Sequence, residues 1–290
     1  IDLIFTQDPF ETGLAGAVIA KIYKIKLQLQ IHTDVFSPYF KLESLANGLR
    51  VVLGKFLIRK ADGFRVVSRR IKESLVKLNV SVEKVFILPI FTDVEKIAVS
   101  PISVDLKKKY PRFNFIILMV CRLSREKNIP LAIDVVADIA KNHHGIGLVI
   151  VGSGREREKI IELGKQKLGD KLVLEEWTNN PASYYKSADL FLLTSNYEGW
   201  GLSVVEAMAS NCPVVMTDVG CAGELIIHGR TGLVAPVGET GALSRAIDKM
   251  IKDEGLRREI AVNAKQAVKN LPDKNNYLEK YKKSWELALK

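Results

Sequence analysis

Leu190-Phe-Leu-Leu-Thr-Ser-Asn-Tyr-Glu-Gly-Trp-Gly-Leu-Ser-Val-Val-Glu-Ala-Met-Ala209 holds a continuous apolar run, a polar loop broken by two glycines, and a helical pattern. An apolar run of this length, without polar alternation, reads as a strand buried on both faces in a parallel sheet. Gly199 and Gly201 bracket Trp200, so backbone N–H groups are uncovered as a helix begins around Leu202. Two carboxylates, Glu198 and Glu206, stand on this segment with seven residues between them. Glu198 precedes the glycines, whereas Glu206 falls on the first turns of the helix.

The same alternation extends in both directions. Strands are expected at Asp2 to Thr6, Leu27 to Ile31, Phe64 to Val67, Val85 to Leu88 and Phe113 to Val120. Further strands are expected at Gly147 to Val151, Lys171 to Glu175, Leu190 to Thr194, Pro213 to Thr217 and Gly232 to Ala235. Helical patterns lie between most of them, so the class is α/β with parallel sheets. A Pro- and Lys-rich stretch from Pro89 to Pro111 has the composition of a linker between two cores. The expected division is a partial first domain over 1–95, a second doubly wound domain over 96–271, and a closing helix over 272–290. Tyr277, Tyr281 and Trp285 recur at four-residue spacing on that helix, and packing back onto the first domain would cover them. The chain opens directly on a strand at Ile1, which reads as a polypeptide cut on its N-terminal side.

With 290 residues and 47% apolar content, the chain can build two ordinary cores. The longest apolar run, Phe115 to Cys121, is too short to cross a bilayer, and no signal-peptide pattern opens the chain. Cys121, Cys212 and Cys221 have neither metal-type nor redox-type spacing, which favours a reducing compartment. His143 and His144 read as favourable charges at a helix end. The net charge is +10, and Lys21, Lys24, Lys26, Lys55, Arg59, Lys60, Arg65, Arg69, Arg70 and Lys72 crowd the first part of the chain. That balance suits a solvated basic surface, anionic lipid headgroups or phosphorylated substrates. No nucleic-acid-binding motif accompanies it.

In open parallel sheets ligands gather at the carboxyl ends of strands. Arg122 and Lys127 follow the strand ending at Val120, just before a helix started by Asn128 and Pro130, an arrangement suited to a diphosphate. Gly152 and Gly154 follow the next strand and allow either a tight turn or close approach to a ligand, the lone G-x-G not completing a dinucleotide fingerprint. Glu206 can accept two hydrogen bonds from a cis-diol such as ribose, and Glu198 can hold sugar hydroxyls or stabilise a developing cation. His32 ends a strand of the first domain. No two aspartates stand two apart, so no Asp-x-Asp is present to hold a divalent ion on phosphates.

Taken in order, Arg122-Leu-Ser-Arg-Glu-Lys127, Val151-Gly-Ser-Gly154, Ala188 to Ser195, Glu198 to Ala209, Pro213-Val-Val and Gly229-Arg-Thr-Gly-Leu-Val234 resemble the retaining family 4 glycosyltransferases of GT-B type. The resemblance covers residues 113 to 240, and Asp2 to Asp34 with Ala61 to Leu88 resemble the later half of that family's acceptor domain. It implies two Rossmann-like domains facing a cleft, the first incomplete for want of the family's opening strands and glycine-rich loop. It implies transfer of a hexose from a nucleotide-diphospho-sugar, such as a UDP- or GDP-sugar, to a glycan or lipid-linked acceptor. Anomeric configuration would be retained, and no metal or other cofactor is implied. Arg122 and Lys127 would hold the donor diphosphate, Glu206 the ribose, and Trp177, Thr178 and Gly152 the rest of the nucleotide. Glu198 and His32 would stand at the reacting sugar, with the backbone of Gly199, Trp200, Gly201 and Leu202 cradling sugar and phosphate. A cytoplasmic place, peripheral on the inner face of the plasma membrane, goes with these expectations. Cys121 stands where a glycine is usual, Cys221 interrupts an expected Gly-Gly, and Ile90-Phe91 replaces Asn-Gly. A non-catalytic nucleotide-sugar-binding fragment and a GT-B epimerase or phosphorylase remain as alternatives.

Overall fold

Strand bounds expected from apolar runs and observed strands agree within two residues at all ten positions in the computed structural model, which describes residues 1–290. The chain forms two units, one comprising Ile1–Phe91, Tyr197–Trp200 and Pro272–Lys290, the other Thr92–Asn196 and Gly201–Leu271. Each is built on a parallel sheet, and no helix is long and apolar enough to cross a membrane.

The first unit runs β1 (Leu3–Thr6), α1 (Glu11–Tyr23), β2 (Lys26–Ile31), α2 (Pro38–Glu43), α3 (Leu45–Ile58), β3 (Gly63–Val66), α4 (Arg69–Lys77) and β4 (Val85–Ile87). The second continues with α5 (Val94–Val99), α6 (Leu106–Lys109), β5 (Phe115–Val120), α7 (Ile129–Ile139), β6 (Ile146–Val151), α8 (Arg157–Lys167) and β7 (Leu172–Glu175). It is completed by α9 (Pro181–Ser187), β8 (Leu190–Leu193), α10 (Leu202–Ala209), β9 (Val214–Thr217), β10 (Leu233–Ala235), α11 (Thr240–Lys252) and α12 (Glu254–Val268). The last helix, α13 (Lys274–Leu289), belongs to the first unit.

Strand order in the first unit is β1-β2-β3-β4. Right-handed crossovers in a sheet that grows in one direction put α1, α3 and α4 on the same face. The other face is covered by α13, which packs on β1, β2 and β3. The sequence of β2, Lys-Leu-Gln-Leu-Gln-Ile, follows this division. Leu27, Leu29 and Ile31 are buried beneath the α1 and α3 layer, whereas Gln28 Nε2 donates to Ser284 O of α13 at 2.6 Å. Phe5 of β1 stacks on Trp285 at 5.7 Å, and Tyr281 meets Trp285 edge-on at 5.1 Å.

Arg65 corrects the reading of the basic residues as surface charges, because it is only 3% exposed. Its guanidinium donates to Gln30 Oε1 (2.9 Å), Leu88 O (3.2 Å) and Tyr277 OH (2.6 Å), and lies 4.6 Å from the Tyr281 ring centroid. Each of these partners is neutral. A buried cation held by neutral acceptors and π faces loses its hydration shell, so it is tolerated only where several bonds converge. Here they join β2, β3, the end of β4 and α13.

In the second unit β5 pairs with β6 on one side and β8 on the other, giving the order β10-β9-β8-β5-β6-β7. Ile117, Leu148, Ile150, Leu192 and Val215 form its core with Ile133 and Val136 of α7 and Ile247 of α11. The stretch expected to be a linker carries α5 and α6 and is fastened to this unit. Lys186 Nζ donates to Ala98 O at 2.9 Å, Ser103 N to Ser183 Oγ at 2.9 Å, and Lys107 forms an ion pair with Asp189. Composition alone could not show this, since the fastening groups come from α9 and its flanks, about eighty residues onward in the chain.

Replacing Arg65 by alanine is expected to lower the stability of the first unit by about 3 kcal/mol, because three acceptors lose a shared donor and the Tyr281 ring its cation. Urea unfolding followed by tryptophan fluorescence measures this, and an unchanged midpoint would remove the role given to Arg65. Tyr277→Phe should give a smaller loss of about 1 kcal/mol.

Candidate functional site

Each unit carries its own share of the residues singled out by the sequence. In the second unit the strand order turns at β5. The chain steps from β5 to β6 and β7 in one direction, then from β8 to β9 and β10 in the other. The loops after β5 and β8 therefore diverge at their carboxyl ends, which is the position where an open sheet leaves room for a ligand. Arg122 and Lys127 follow β5, and Gly201, Leu202 and Glu206 follow β8.

These two loops are locked together. Thr194 Oγ1 donates to Lys127 O (2.9 Å) and Asn128 O (3.0 Å). Asn196 N donates to Glu126 O at 2.8 Å, and Asn128 Nδ2 to Asn196 Oδ1 at 3.0 Å. Arg125–Lys127 form one 3-10 turn, and Asn128 then takes a left-handed conformation (φ 45°) that Asn tolerates better than most residues. Arg122 is exposed, and its guanidinium donates to Glu126 Oε1 at 3.0 Å. The same oxygen accepts from Ser124 Oγ at 2.6 Å. Glu126 is a residue that motif reading missed. The signal was its spacing of four from Arg122, which in a tight turn lets the carboxylate hold the guanidinium in place.

Gly152 is explained by a close backbone approach. A Cβ there would lie 1.9 Å from Cys121 O, and the adjoining backbone bonds Leu123 N to Ser153 O at 2.8 Å. Its structural effect is to let β6 support the loop that carries Arg122.

Glu206 lies within α10 and is half-buried. One carboxylate oxygen, Oε2, accepts from Tyr185 OH at 3.0 Å. Burial pushes its carboxyl above the ordinary carboxylate range, and the Tyr185 hydrogen bond opposes part of that rise. Tyr185, 1% exposed and edge-on to Phe191 at 5.4 Å, was also missed, because a Tyr in an apolar helix reads as core. Gly201 is the N-cap of α10, and Leu202, its first residue, is 38% exposed. Trp177 follows β7 and is 63% exposed, unusual for an indole, while Thr178 Oγ1 accepts from Asn180 N at 3.1 Å.

In the first unit His32 follows β2, and the segment Tyr197–Trp200 lies against it. A Cβ on Gly199 would sit 1.8 Å from His32 O, so only glycine allows this approach. Phe40 meets the Tyr197 ring edge-on at 5.5 Å, and Tyr197 OH donates to Glu43. Glu198 is half-buried on this segment, and Trp200 is 5% exposed. His32 and Glu198 are thus brought into one neighbourhood, although 166 positions apart by their numbers. Both ring nitrogens of His32 are buried without a hydrogen-bond partner. Burial, and to a lesser extent the Arg65 charge, hold the imidazole down at about 4, so it is neutral near pH 7. Asp34, two residues on, is 8% exposed, and burial raises its carboxyl despite the Arg70 charge and the backbone N–H groups of Phe36 and Ser37.

The remaining histidine reading is changed by the structure. His143 Nε2 meets Asp248 Oδ1 of α11 at 2.6 Å, so a specific carboxylate, not only a helix end, holds it.

Comparison with known proteins adds to this geometry. The capsular polysaccharide biosynthesis glycosyltransferase CapM of Staphylococcus aureus is 26% identical over 275 residues, which cover 90% of this chain and 70% of CapM. The poly(glycerol-phosphate) alpha-glucosyltransferase of Bacillus subtilis is 32% identical over 181 residues, 62% of this chain and 26% of that protein. The crystal structure of Anabaena Alr3699/HepE in complex with UDP superposes with a TM-score of 0.83 at 23% identity, covering 98% of this chain and 78% of that one. The likeness in structure shows the fold, which is of GT-B type. The family model for glycosyl transferases group 1 matches residues 105–267, more than half of the chain, and the protein belongs to that family.

Proposed function

We propose that this protein transfers a hexose from a nucleotide-diphospho-sugar to a glycan or lipid-linked acceptor, with retention of anomeric configuration and without a metal ion. The observation that carries the reading is the turn in strand order at β5. It sets Arg122 and Lys127 at the end of one strand and the Glu206 helix at the end of its neighbour, with the two loops hydrogen-bonded together. HepE is described with UDP and with UDP-glucose bound, which supports a nucleotide-sugar as donor here. The names of CapM and of the Bacillus enzyme support a polymeric glycan or glycerol-phosphate acceptor.

In this reading Arg122 and Lys127 hold the donor diphosphate and stabilise it as it leaves. Glu206 binds the ribose hydroxyls through the oxygen that Tyr185 does not occupy. Trp177 stacks on the base, Thr178 and Gly152 complete the nucleotide contacts, and the backbone from Gly199 to Leu202 receives sugar and phosphate. The bond from the anomeric carbon to the diphosphate oxygen breaks, and the acceptor oxygen bonds that carbon on the same face. The acceptor proton passes to the departing phosphate. Neutral His32, with both ring nitrogens lacking a protein partner, can hydrogen-bond a sugar hydroxyl without placing a cation beside the developing positive centre. Glu198 opposes that centre with a negative charge. Free thiols and the basic first unit support a cytoplasmic setting at the inner face of the plasma membrane.

Isothermal titration with UDP, after thermal-shift selection among UDP-, GDP- and ADP-sugars, tests the donor site. Lys127→Ala and Arg122→Ala should each weaken nucleotide binding about tenfold to a hundredfold, the range of a lost charge-assisted bond. Wild-type affinity in both would sink the diphosphate assignment. Turnover of a labelled nucleotide-sugar separates the enzyme from a binding protein.

Glu206 provides a pH-dependent test. Its raised carboxyl takes up a proton at a higher pH than an ordinary glutamate, so UDP affinity should fall as pH is lowered from neutrality. Glu206→Gln should bind more weakly at pH 7 and lose most of this slope. An identical slope in the variant would exclude Glu206 as the ribose ligand.

His32 makes a prediction about stability. Its folded value of about 4 lies below the ordinary 6.5, so between these values the unfolded chain binds more protons than the folded one. The stabilisation is complete above 6.5 and is lost as pH falls toward about 4. His32→Asn should therefore lose less stability than wild type between pH 7 and 5. Parallel stability–pH curves would show that His32 does not stay neutral.

A further inference from the structure

Helix α10 carries a charge that its packing does not need. Val204, Val205, Ala207, Met208 and Ala209 are buried, and Glu206, half-buried among them, is the one ionisable residue of the helix. A carboxylate so placed is costly unless hydrogen bonds offset its lost hydration. The protein supplies one, from Tyr185 OH to Oε2 at 3.0 Å. The other oxygen, Oε1, is left to a ligand.

Tyr185 in turn is more than core filling requires. Its ring is 1% exposed and lies edge-on to Phe191 at 5.4 Å, a contact that phenylalanine would make equally well. The hydroxyl adds a buried polar group, and its hydrogen bond goes to Glu206. Burial raises the phenol well above its ordinary range, so it stays a donor wherever the carboxylate is ionised. Cys212 and Cys121 are its other titratable neighbours, and burial pushes the Cys212 thiol up, so that group brings no charge.

The charges on the helices packed against α10 are engaged elsewhere. On α9, Lys186 donates to Ala98 O at 2.9 Å and Tyr184 faces Glu175. On α12, Arg257 donates to Met250 O at 2.5 Å, Arg258 pairs with Glu254, Lys265 lies near Lys186 and Glu259 is exposed, as are Glu95 and Lys96 of α5. Burial and the Tyr185 hydroxyl are therefore the two influences on the Glu206 carboxyl. The terminal torsion of a glutamate is ordinarily broad, and a donor fixed on one oxygen removes that freedom. The remaining oxygen then suits a fixed pair of donors, such as the vicinal hydroxyls of ribose, and penalises a sugar that lacks one of them.

We infer that Tyr185 is a positioning residue, which pins Glu206 so that the donor site selects ribonucleotides over 2′-deoxyribonucleotides. This role rests on the reading of Glu206 as the ribose ligand, and adds to it the group that makes the carboxylate selective.

Isothermal titration of the full chain with UDP, 2′-deoxy-UDP and inorganic pyrophosphate tests it, in wild type, Tyr185→Phe and Glu206→Gln. Wild type should prefer UDP to 2′-deoxy-UDP by about tenfold to a hundredfold, the range of a hydrogen bond to a charged group. Tyr185→Phe keeps the ring and its contact with Phe191, and should reduce the preference to about threefold. Pyrophosphate, which has no ribose, should bind both proteins alike. The Tyr185 hydrogen bond lowers the Glu206 carboxyl against the effect of burial. Without it the carboxyl rises further, so in Tyr185→Phe the loss of UDP affinity on acidification should begin at a higher pH. Glu206→Gln should lose most of the preference and of the pH dependence.

A wild type without preference, or Tyr185→Phe with the wild-type preference and pH profile, would overturn the inference. In the second case, loss of the preference in Glu206→Gln leaves Glu206 as ribose ligand and removes only the role of Tyr185. Full preference in Glu206→Gln would sink the ribose assignment itself. Equal weakening of all three ligands in Tyr185→Phe would show that the hydroxyl supports the core and not the ribose site.

Discussion

The second unit depends on one constraint, the position of β5 between two series of strands that wind in opposite directions. A parallel strand buried on both faces can have only two neighbours, here β6 and β8, and crossovers of fixed hand send the following helices to opposite faces of the sheet. The loops leaving β5 and β8 must then separate, and the gap between them cannot be filled by a crossover. Thr194, Asn128 and Asn196 close its base with hydrogen bonds, and Arg122, Lys127 and Glu206 follow its two strands in the chain. Gly152 makes the arrangement possible from the β6 side, where any side chain would strike the Cys121 carbonyl.

The first unit relies on a different device. Its sheet has only four strands, and α13 returns from the far end of the chain to cover one face. Arg65 joins that helix to three strands through neutral acceptors, and its charge adds to the burial that keeps His32 uncharged. A structural cation and a candidate site imidazole are therefore linked electrostatically.

Much of the fold was legible because continuous apolar runs of strand length have few alternative uses in a chain of this size. Phe115–Val120 and Ile146–Val151 could be read without knowing their neighbours. The stretch between Pro89 and Pro111 could not. Its helices are short, and the groups that fasten it come from α9, so local composition resembled a linker. Arg65 was misread for a related reason. A cation in a basic segment looks solvated until the tyrosines of α13, more than two hundred residues onward, are known to lie over it.

For the candidate site, residue types and spacing single out Arg122, Lys127, Glu198 and Glu206 as candidates, since each lies beside a strand end or glycine turn that is visible locally. Glu126 and Tyr185 escaped notice because their importance rests on partners, one aligning a guanidinium and the other occupying a carboxylate oxygen. The sequence by itself determined the class, the ten strands and the loops that carry charge, because periodicity and backbone preference act over a few residues. Only the tertiary structure decided the order of strands, the burial of Arg65 and the approach of Gly199 to His32. Those features depend on contacts between distant segments, where sterics and desolvation, not local preference, select the outcome.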